Sequence, residues 1–437
     1  MQAMIMAGGK GTRLASITKN VPKPMVPTNG KPLLEWQIEN LKESGIDNVI
    51  LVVGYLGNVI RDHFGNGEKF GVKISYYNEE IPLGTAGALA ELRDRMEENF
   101  ILLFGDLYVN VDFSKFMRFH TEKDALVTLF AHPNSHPYDS DIVVADKDGR
   151  VIDWSYKNTE RSHDYPNLTN AGLYVMNRRI ADVVRATQEK NNNKKVDLEK
   201  DVITKQIDAE KIFAYHSTEY VKDIGTPERL QKAEQDIKKD IPEKRNLKNK
   251  QKVIFLDRDG TINQYVGFLR FVDQMQLEPT AADAIRLINE SEYLAIVITN
   301  QPVIARGEVS FQELDAIHNR MYTLLGKEGA YVDGLYFCPH HPDKGFEGEI
   351  PELKIDCDCR KPKIGMIQKA VENFNIDLSN SWFIGDTNID VQTGINAGTR
   401  AALLKSGDPD KKENRYPVKA DFTAEDLLDA VRQIVKG

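Results

Sequence analysis

The chain alternates short apolar runs with segments in which apolar residues recur every three or four positions. In its first half, the runs at 3–7, 48–54 and 100–105 have the length of buried strands, and residues 33–44 have helical spacing. This order of strand, helix and strand predicts a mostly parallel sheet with helices on its faces. The dipeptide Asp148-Gly149 lies between β-rich flanks within 142–157 and predicts a hairpin.

The second half shows the same alternation of strand and helix patterns, and a charged segment separates it from the first half. Runs at 253–256, 294–298 and 382–384 predict strands, and 311–325 predicts a helix that begins with a capping box, Ser310 with Glu313.

The interruption itself, residues 238–252, consists almost entirely of charged or amide side chains, which indicates an exposed linker. A long surface loop inside one domain is the alternative interpretation. We predict an α/β protein of two domains, residues 1–238 and 252–437, with a linker at 239–251.

Composition narrows the partners and the compartment. With 41% hydrophobic and 28% charged residues the chain has a globular composition, and its net charge of −9 argues against nucleic-acid or membrane partners. No apolar run approaches the roughly 20 residues that span a bilayer, and we recognise no signal peptide at the N-terminus. The three cysteines all lie within 338–359, which indicates a metal site and a reducing compartment, so we expect a cytoplasmic protein.

A glycine-rich segment, GGKGTR at residues 8–13, directly follows the first predicted strand. Glycines let backbone amides approach an anion closely, and Arg13 adds a planar pair of donors that suits a phosphate. The segment lacks the Gly-Lys-Ser/Thr ending of a Walker loop, and glycines of this kind also form simple turns. Further evidence must therefore come from its neighbours.

Those neighbours are also suited to nucleotide chemistry. Lys23 stands between two prolines, which restrict its backbone, and the small residues LGTAGA at 83–88 leave room for a flat base. Asp106 follows a predicted strand and Asp223 lies near the end of this half. Two carboxylates with substrate phosphates are a typical magnesium arrangement, although either aspartate alone could be a cap or turn residue.

The segments GGKGTR, PKP, LGTAGA, GD, NAG and DIGTPE occur in the order of the sugar-1-phosphate nucleotidyltransferases, which residues 1–235 resemble. The resemblance implies a Rossmann-like domain with a mixed sheet, in which a sugar-phosphate oxygen attacks the α-phosphate of a nucleoside triphosphate in line and pyrophosphate leaves. It assigns the triphosphate to Gly8, Gly9, Gly11, Thr12 and Arg13, the nucleoside to Gly84 and Thr85, the sugar to Asn170 and Gly172, and magnesium to Asp106 and Asp223.

The same resemblance places Lys23 near the α-phosphate and the sugar phosphate. Lys157 is a further candidate for the sugar phosphate, with an exposed strand lysine as the alternative. Three segments are most similar to those of heptose- or mannose-1-phosphate guanylyltransferases, namely VPKPMVP, LLEWQIENLKESGI and VGYLGNVIRDHFG. This similarity implies GTP as the nucleotide. Transferases of this kind often self-associate, so a homo-oligomer is possible, although the sequence does not fix the oligomeric state.

The second half opens with FLDRDGT at 255–261. A carboxylate such as Asp257 can attack phosphorus, and a second one such as Asp259 can protonate the leaving oxygen and then activate water. The motif resembles the haloacid-dehalogenase (HAD) phosphatases, whose fold is a three-layer α/β/α sandwich. That resemblance implies that Asp257, Asp386 and the carbonyl of Asp259 hold magnesium, that Thr299, Asn300 and Lys361 contact the phosphoryl group, and that Asp390 lies behind the metal ligands.

A possible metal clip lies between these motifs, as Cys338-Pro339-His340 and Cys357-Asp358-Cys359. Three thiolates and one imidazole, here from Cys338, His340, Cys357 and Cys359, form a closed, structural zinc site. Buried free thiols are the alternative interpretation, and His341 is an alternative ligand.

With TNQ, IARG and CRKPKIGM, the clip resembles the D-glycero-D-manno-heptose 1,7-bisphosphate 7-phosphatases over residues 252–437, and histidinol-phosphate phosphatases are the second choice. Arg360 would contact the substrate. The sequence departs from the pattern at Pro302-Val303, where Ser-Gly is common, and at Thr387, where a lysine is usual.

Together the two resemblances imply a bifunctional enzyme. Its phosphatase would convert heptose 1,7-bisphosphate to heptose 1-phosphate, and its guanylyltransferase would convert that product and GTP to GDP-heptose and pyrophosphate. Both domains would use magnesium, and the second would hold zinc. Two alternatives stay open: a mannose-1-phosphate guanylyltransferase fused to a histidinol-phosphate-type phosphatase, and a sugar-nucleotide sensor with one inactive half.

Overall fold

The computed structural model describes residues 1–9, 21–157, 159, 161, 163–192, 194–407 and 416–436. The chain forms two compact units. The first comprises Met1–His132, Val143–Ser155 and Asn170–Asn246, and the second comprises Pro133–Ile142, Tyr156–Thr169 and Leu247–Gly437. Two short segments that precede residue 170 therefore group with the C-terminal unit. The predicted boundaries at 238 and 252 stay a prediction.

The first unit is built on a mixed sheet of nine strands, with two further strand pairs beside it. The strands are β1 (Gln2–Met6), β2 (Pro27–Thr28), β3 (Lys31–Pro32), β4 (Asn48–Val53), β5 (Lys73–Asn78), β6 (Asn99–Phe104), β7 (Leu107–Asn110), β8 (Val127–His132), β9 (Ile142–Ala145), β10 (Val151–Ser155), β11 (Thr169–Asn177), β12 (Ile212–His216) and β13 (Tyr220–Asp223). The order β10-β9-β11-β6-β1-β4-β5 runs across the main sheet, β8 joins β11 to β12, and β2 pairs with β3 and β7 with β13.

The central strand β1 is parallel to both β4 and β6, and β11 is antiparallel to β6. Helices of the first unit are α1 (Leu33–Glu43), α2 (Gly57–Phe64), α3 (Gly87–Leu92), α4 (Phe113–Lys123), α5 (Ile180–Asn191), α6 (Pro227–Lys238) and α7 (Ile241–Arg245). Asp112 caps α4, and Thr226 with Pro227 begins α6. Helix α7 lies in the segment predicted as a linker, and its Pro242 and Arg245 are buried.

The second unit contains an all-parallel sheet of six strands in the order β16-β15-β14-β17-β18-β19. Its elements are β14 (Lys252–Leu256), α8 (Ala281–Asn289), β15 (Tyr293–Asn300), α9 (Phe311–Lys327), β16 (Gly334–Cys338), α10 (Gly365–Phe374), β17 (Trp382–Gly385), α11 (Asn388–Ala397), β18 (Arg400–Leu404), β19 (Phe422–Ala424) and α12 (Leu427–Lys436). Along β14, Ile254 and Leu256 join one hydrophobic cluster and Val253 and Phe255 another, so both faces of the sheet are covered. The predicted three-layer α/β/α fold is confirmed.

The predicted elements are confirmed, with ends that shift by at most two residues. The hairpin forms from β9 and β10, with Gly149 in its turn donating from N to Asp146 O at 3.0 Å. The capping box of Ser310 and Glu313 begins α9. Among the described residues, no helix has both the length and the apolar character needed to cross a membrane.

Each main sheet has a central strand whose two neighbouring strands are reached by connections on opposite sides of it. In the first unit this is β1, between β4 and β6, and in the second it is β14, between β15 and β17. Ligands of open α/β sheets bind at the carboxyl ends of such strands. Both sets of predicted site residues begin there, after Met6 and after Leu256.

Candidate active sites

The first site is organised around Lys23. Its Nζ lies 2.5 Å from Asp106 Oδ2 and 3.7 Å from Asp223 Oδ1. The short helical turn Lys23–Met25 carries the lysine, Asp106 follows β6, and Asp223 ends β13. The structure thus brings together the lysine and both carboxylates that the sequence singled out.

Close packing fixes the position of Asp106. A Cβ at Gly105 would lie 2.7 Å from Pro24 Cγ, so the strand end fits against the proline-flanked turn only as glycine. The side chain of Gln37, on α1, donates to Phe104 O at 2.9 Å and to Leu107 O at 2.7 Å. Gln37 was not among the predicted residues. Its sequence signal is a polar residue on the apolar face of α1.

The DIGTPE segment explains the position of Asp223. A Cβ at Gly225 would lie 2.8 Å from Asp223 Oδ1, and Arg229, from the first turn of α6, forms an ion pair with Asp223 Oδ2. Oδ1 is buried and accepts no hydrogen bond from the described residues. A buried carboxylate oxygen without a donor, with Asp106 nearby, fits a divalent cation.

A cavity of about 440 Å³ opens beside these residues. Its described lining includes Gly8, Gly9, Lys23, Gly84, Thr85 and Asp106, all predicted, and Glu79, Lys195 and Glu199, which were not. The predicted Gly11, Thr12 and Arg13 lie outside the described residues.

The cavity wall near Gly84 is tightly built. Gly84 has a φ of +84°, and a Cβ there would lie 2.3 Å from Val196 O. The hydroxyl of Thr85 accepts from Leu198 N at 2.7 Å. Both residues therefore fix the segment that brings Lys195 and Glu199 to the cavity.

Glu79 carries an unsatisfied acceptor in this cavity. Its Oε1 is buried and has no hydrogen-bond partner among the described residues. Burial raises the pKa of Glu79, and a hydrogen bond from the Leu83 backbone opposes that shift. A Cβ at Gly8 would lie 3.0 Å from Glu79 Oε2, so the carboxylate faces the glycine segment. Oε1 of Glu79 is therefore available to accept a hydrogen bond from a bound ligand.

The predicted sugar residues reach the cavity indirectly. Asn170 Nδ2 donates to the hydroxyl of Tyr174 at 2.7 Å, and that hydroxyl donates to Glu199 Oε1 at 2.6 Å. Gly172 N donates to Asn170 Oδ1 at 3.2 Å. Lys157, the weaker candidate, is exposed, and its N–H donates to Asp141 Oδ1 at 2.9 Å.

The second site contains three buried acids, which lie at the ends of β14 and β17 and in the first turn of α11. Carboxylate oxygens of Asp257, Asp386 and Asp390 lie within 4.8 Å of one another. Lys361 Nζ lies 2.8 Å from Asp257 Oδ1 and 2.6 Å from Asp390 Oδ1. Burial raises the pKa of Asp257 to about 8, with Asp390 and Asp386 adding to the shift and Lys361 opposing it. Three acids beside one ammonium leave negative charge that a divalent cation would balance.

Glycines hold Asp386 in place. A Cβ would lie 2.5 Å from Asp386 Oδ2 at Gly260 and 2.3 Å from it at Gly407, and both glycines have positive φ. The glycine of the DRDGT motif is therefore required by the close approach of this carboxylate.

Asp259 has a separate set of partners. Arg258 Nη2 donates to its Oδ1 and Oδ2, both at 2.8 Å, Gln301 Nε2 donates to Oδ2 at 2.9 Å, and Asn263 Nδ2 donates to Oδ1 at 3.1 Å. Arg258 is fully buried, with Nη1 3.2 Å from His318 Nε2. Burial and the charge of Arg258 lower the pKa of His318, so the imidazole is neutral and accepts from Arg258.

The side chains predicted to bind the phosphoryl group have protein partners. Thr299 Oγ1 accepts from Gln301 Nε2 at 3.1 Å. Asn300 binds the backbone of Lys361, accepting from its N at 3.0 Å and donating to its O at 3.3 Å. Asn300 thereby holds the segment that delivers Lys361, and its contact with substrate stays a prediction.

The departure at Thr387 has a structural role. Thr387 caps α11, and its Oγ1 donates to Asp390 Oδ2 at 2.6 Å. The other oxygen of Asp390 binds Lys361. Thr387 therefore positions Asp390, and Asp390 in turn positions Lys361.

The four predicted clip residues come together as one cluster. The sulfur of Cys338 lies 3.5 Å from that of Cys357 and 3.1 Å from that of Cys359, and His340 Nδ1 lies 3.2 Å from Cys359 Sγ. A tetrahedral site with metal–sulfur bonds of about 2.3 Å has sulfur–sulfur edges of about 3.8 Å, so the cluster fits a metal ion with slight expansion. His341 stays outside it, where its Nδ1 accepts from Asp343 N at 3.2 Å.

The clip is joined to the active site. Gln301 N donates to Cys338 O at 2.8 Å, and Arg360 Nη1 donates to His340 O at 3.3 Å. Lys361 follows Arg360 directly. Both arginine and lysine line a cavity of about 660 Å³ together with Asp386 and Arg306.

Comparison with known proteins agrees with this geometry. The nucleotidyl transferase family model matches residues 2–240, and a HAD-hydrolase-like model matches residues 358–430. The first half is 34% identical over 238 residues to the D-glycero-alpha-D-manno-heptose 1-phosphate guanylyltransferase of Aneurinibacillus thermoaerophilus, a match that covers 54% of this chain and 98% of that protein.

Two other relatives bear on the substrate. The mannose-1-phosphate guanylyltransferase of Mycobacterium tuberculosis is 33% identical over 245 residues, which covers 55% of this chain and 66% of that protein. The D-glycero-beta-D-manno-heptose-1,7-bisphosphate 7-phosphatase of Yersinia pestis is 36% identical over 183 residues, which covers 41% of this chain and 94% of that protein. The chain therefore belongs to the nucleotidyl transferase family and carries a HAD-like phosphatase domain in the same polypeptide.

Proposed function

We propose that the chain is a bifunctional enzyme of nucleotide-activated heptose synthesis. Its second half removes the 7-phosphate of D-glycero-D-manno-heptose 1,7-bisphosphate, and its first half joins the resulting heptose 1-phosphate to GMP from GTP, giving GDP-heptose. The observation that carries the proposal is the fusion itself, because relatives named for these two reactions match separate halves of one chain.

In the phosphatase reaction, Asp257 attacks the 7-phosphate, and the bond from phosphorus to the sugar oxygen breaks. Asp259 gives that oxygen a proton, and then takes a proton from the water that hydrolyses the aspartyl phosphate. Lys361 lies 2.8 Å from Asp257 and offsets the phosphoryl charge. Magnesium held by Asp257, Asp386 and the carbonyl of Asp259 would supply further positive charge there.

In the transferase reaction, an oxygen of the sugar phosphate forms a bond to the α-phosphorus of GTP, and the bond to the departing pyrophosphate breaks. The chain's task is to hold the two anions in line and to offset their charge. Lys23 has the position for this, between Asp106 and Asp223. These two carboxylates would hold magnesium, which offsets the charge of the phosphates.

Glu79 supports guanine as the base. Guanine presents two adjacent donors, N1–H and the 2-amino group, whereas the corresponding edge of adenine carries an acceptor at N1. A carboxylate accepts from both guanine donors and repels the adenine acceptor. The buried Oε1 of Glu79, which has no partner among the described residues, gives such donors an acceptor in the cavity.

For the clip we propose zinc, because three thiolates and one imidazole are its usual structural ligands. Reduced thiols also favour the cytoplasm as the compartment. Self-association, which the resemblance implies, stays a prediction.

We propose the α-anomer for the shared intermediate. The transferase relative is named for the α-sugar, phosphatase relatives are named for either anomer, and one intermediate must suit both sites. The transferase reaction retains the anomeric oxygen in its product. The anomer that the transferase accepts therefore determines the anomer of the intermediate. Assays with both anomers of the bisphosphate would test this choice, and production of GDP-heptose from the β-anomer alone would reverse it.

The central test supplies purified protein with heptose 1,7-bisphosphate, GTP and magnesium. We expect release of phosphate and pyrophosphate and formation of GDP-heptose. The D257N variant should release no phosphate from the bisphosphate, yet should still release pyrophosphate from heptose 1-phosphate and GTP. The K23M variant should show the opposite pattern, and K31M, which removes a lysine outside the cavity, serves as its control. Absence of both products with the native chain would refute the proposal.

The second candidate is a mannose-1-phosphate guanylyltransferase fused to a histidinol-phosphate-type phosphatase, and the mycobacterial relative favours its first part. It requires higher kcat/KM for mannose 1-phosphate and histidinol phosphate than for the heptose phosphates. A sensor with one inactive half is opposed by the acids, which are assembled in both sites.

A further inference from the structure

The side chain of Gln301 joins two groups of the predicted phosphatase reaction. Gln301 directly follows β15 and is only 2% exposed. Its Nε2 donates to Asp259 Oδ2 at 2.9 Å and to Thr299 Oγ1 at 3.1 Å. A side-chain amide nitrogen carries two hydrogens, and these two bonds use both of them. One nitrogen therefore connects the carboxylate that is predicted to move protons with the hydroxyl that is predicted to contact the phosphoryl group.

The carboxylate of Asp259 determines which way the Gln301 amide points. If the amide were reversed, Oε1 would face Asp259 Oδ2, and two acceptors without a hydrogen between them repel each other. The backbone restricts the side chain further, since Gln301 N donates to Cys338 O at 2.8 Å. With both its backbone and its amide bonded in a buried position, Gln301 keeps one arrangement.

The bond from Gln301 also directs the hydroxyl of Thr299. A hydroxyl has one hydrogen to donate, and it can accept at the same time. Because Thr299 Oγ1 accepts from Gln301, its own hydrogen is turned away from the amide. That hydrogen is then directed to an acceptor such as a phosphoryl oxygen.

Gln301 differs from the other side chains that hold Asp259. Three side chains donate to this carboxylate, those of Arg258, Asn263 and Gln301. Arg258 also contacts His318, and Asn263 also donates to the backbone of the next residue. Of the three, Gln301 is the one that also bonds to a side chain predicted to bind the phosphoryl group.

We propose that Gln301 is a positioning residue of the phosphatase, which aligns Asp259 with the phosphoryl group that Thr299 binds. The inference rests on the proposed function, which assigns proton transfer to Asp259. When the bond from phosphorus to the sugar oxygen breaks, its electron pair stays on that oxygen, and the proton of Asp259 moves onto it. In this role Gln301 neither gives a proton nor bonds to the substrate. Without Gln301, fewer of the bound complexes would hold Asp259 within hydrogen-bond distance of the leaving oxygen.

The test uses two substrates that differ in one atom, heptose 1,7-bisphosphate and its analogue with sulfur as the bridging atom at C7. A sugar alkoxide leaves slowly unless it receives a proton, whereas a thiolate leaves without one. Rapid quenching of single turnovers gives the rate constant for cleavage of each substrate. We expect Q301L to lower this rate constant about 10- to 100-fold for the oxygen substrate and less than about threefold for the sulfur analogue.

Q301E separates hydrogen bonding from shape. Glutamate has the size of glutamine but presents acceptors to Asp259 and Thr299 in place of donors. On the oxygen substrate Q301E should therefore lose at least as much as Q301L. A native rate constant in Q301E would show that the donor of Gln301 has no part in the reaction.

The matched control is Q251L. Gln251, in the second unit, is likewise 2% exposed, and its amide donates to Asn249 O at 3.0 Å, but it does not line the phosphatase cavity. Q251L should keep the native ratio of the two rate constants. Circular dichroism and metal content of each variant establish that the fold is intact.

D259N is the reference for proton transfer by Asp259 itself, and it should show the same selective loss on the oxygen substrate. Equal losses on both substrates in D259N would remove Asp259 as the acid and the role of Gln301 with it. If D259N is selective but Q301L loses equally on both substrates, or on neither, the role of Gln301 is overturned and the proposed function stands.

If the native chain cleaves neither heptose substrate, the proposed function fails. In that case, or if only the sulfur analogue resists cleavage, Gln301 is judged by calorimetry in magnesium with orthovanadate and with inorganic phosphate. Vanadate copies the five-coordinate phosphorus of the transition state, and such analogues need the aligned groups more than phosphate does. An affinity of Q301L that falls about tenfold for vanadate and less than about threefold for phosphate supports the alignment. Any other pattern refutes it.

Discussion

Arg258 and Asp259, neighbours in sequence, form a two-pronged ion pair whose cationic member is completely buried. Nη2 of Arg258 lies 2.8 Å from each carboxylate oxygen, and its Nη1 lies 3.2 Å from His318. Asp259 is the predicted general acid and base of the phosphatase. Arg258 therefore determines where that carboxylate stands when substrate enters.

We expect R258M to lower kcat of the phosphatase at least tenfold and to destabilise the second unit. Removing one member of a buried ion pair costs about 3 kcal/mol, because the remaining charge loses its partner. Phosphate-release assays and urea unfolding measure the two effects.

H318Q is the control for R258M. A glutamine carbonyl can still accept from Arg258, so H318Q should lose much less activity than R258M. Native kcat and a native unfolding midpoint in R258M would show that the ion pair does not position Asp259.

Asp257 should release a proton when magnesium binds. Burial, with the neighbouring acids and against the charge of Lys361, raises the pKa of Asp257 to about 8, so a protonated form of Asp257 is present near neutral pH. A cation beside the carboxylate favours its charged form, and the proton leaves. Affinity for magnesium should therefore rise with pH up to about 8 and then level off.

Titration calorimetry at pH 7, in two buffers with different heats of ionisation, counts the released protons. We expect close to one more proton from the native chain than from D257N, and a difference near zero at pH 9. The subtraction removes any contribution from the first unit. An equal count for both proteins at pH 7 would contradict the raised pKa.

Some residues of the candidate sites can be identified from local sequence motifs, whereas others can be identified only from tertiary contacts. Asp257 and Asp386 could be identified because each follows a buried strand, and such strand ends meet at one edge of a parallel sheet. His318 could not, since it contacts Arg258 from 60 residues away, on the buried face of α9. Glu79 and Arg306 could not be identified for the same reason. Only the packing shows that Glu79 Oε1 has no donor within the described part of the chain, and that Arg306 lies between two rings.

The same limit applies to the assigned roles of single residues. Asn300 ends β15, and its amide binds the backbone of Lys361, a contact that the sequence does not reveal; its contact with the phosphoryl group stays a prediction. The charge of segment 239–251 predicts a linker, which stays a prediction, and does not reveal that the segment contains α7. Sequence patterns locate a residue along a strand or helix and do not state which neighbour will occupy its hydrogen bonds.

Glu79 should set the preference for the nucleobase. E79Q replaces one acceptor by an amide donor, which opposes a donor of guanine and can pair with an acceptor of adenine. We expect the ratio of kcat/KM for GTP to that for ATP to fall about 10- to 100-fold, as for loss of one well-placed base contact.

E80Q provides a neutral control for E79Q, because Glu80 is the adjacent acid and does not line the cavity. Pyrophosphate release with each nucleotide gives the ratio. If E79Q keeps the native ratio while kcat/KM falls equally for both nucleotides, Glu79 shapes the cavity and does not select the base.

Removing the metal from the cysteine clip should unfold or loosen the phosphatase half and spare the transferase half. A closed site of this kind contributes directly to folding, and here the clip anchors both Gln301 N, through Cys338 O, and Arg360, through His340 O. We expect a chelator-treated chain, or C357S, to lose phosphate release. In thermal unfolding, the transition of the phosphatase half should move to a lower temperature. Pyrophosphate release from heptose 1-phosphate and GTP, assayed with magnesium restored, should stay near the native rate. An unchanged melting curve after metal analysis has verified the loss would show that the four residues do not hold a structural ion.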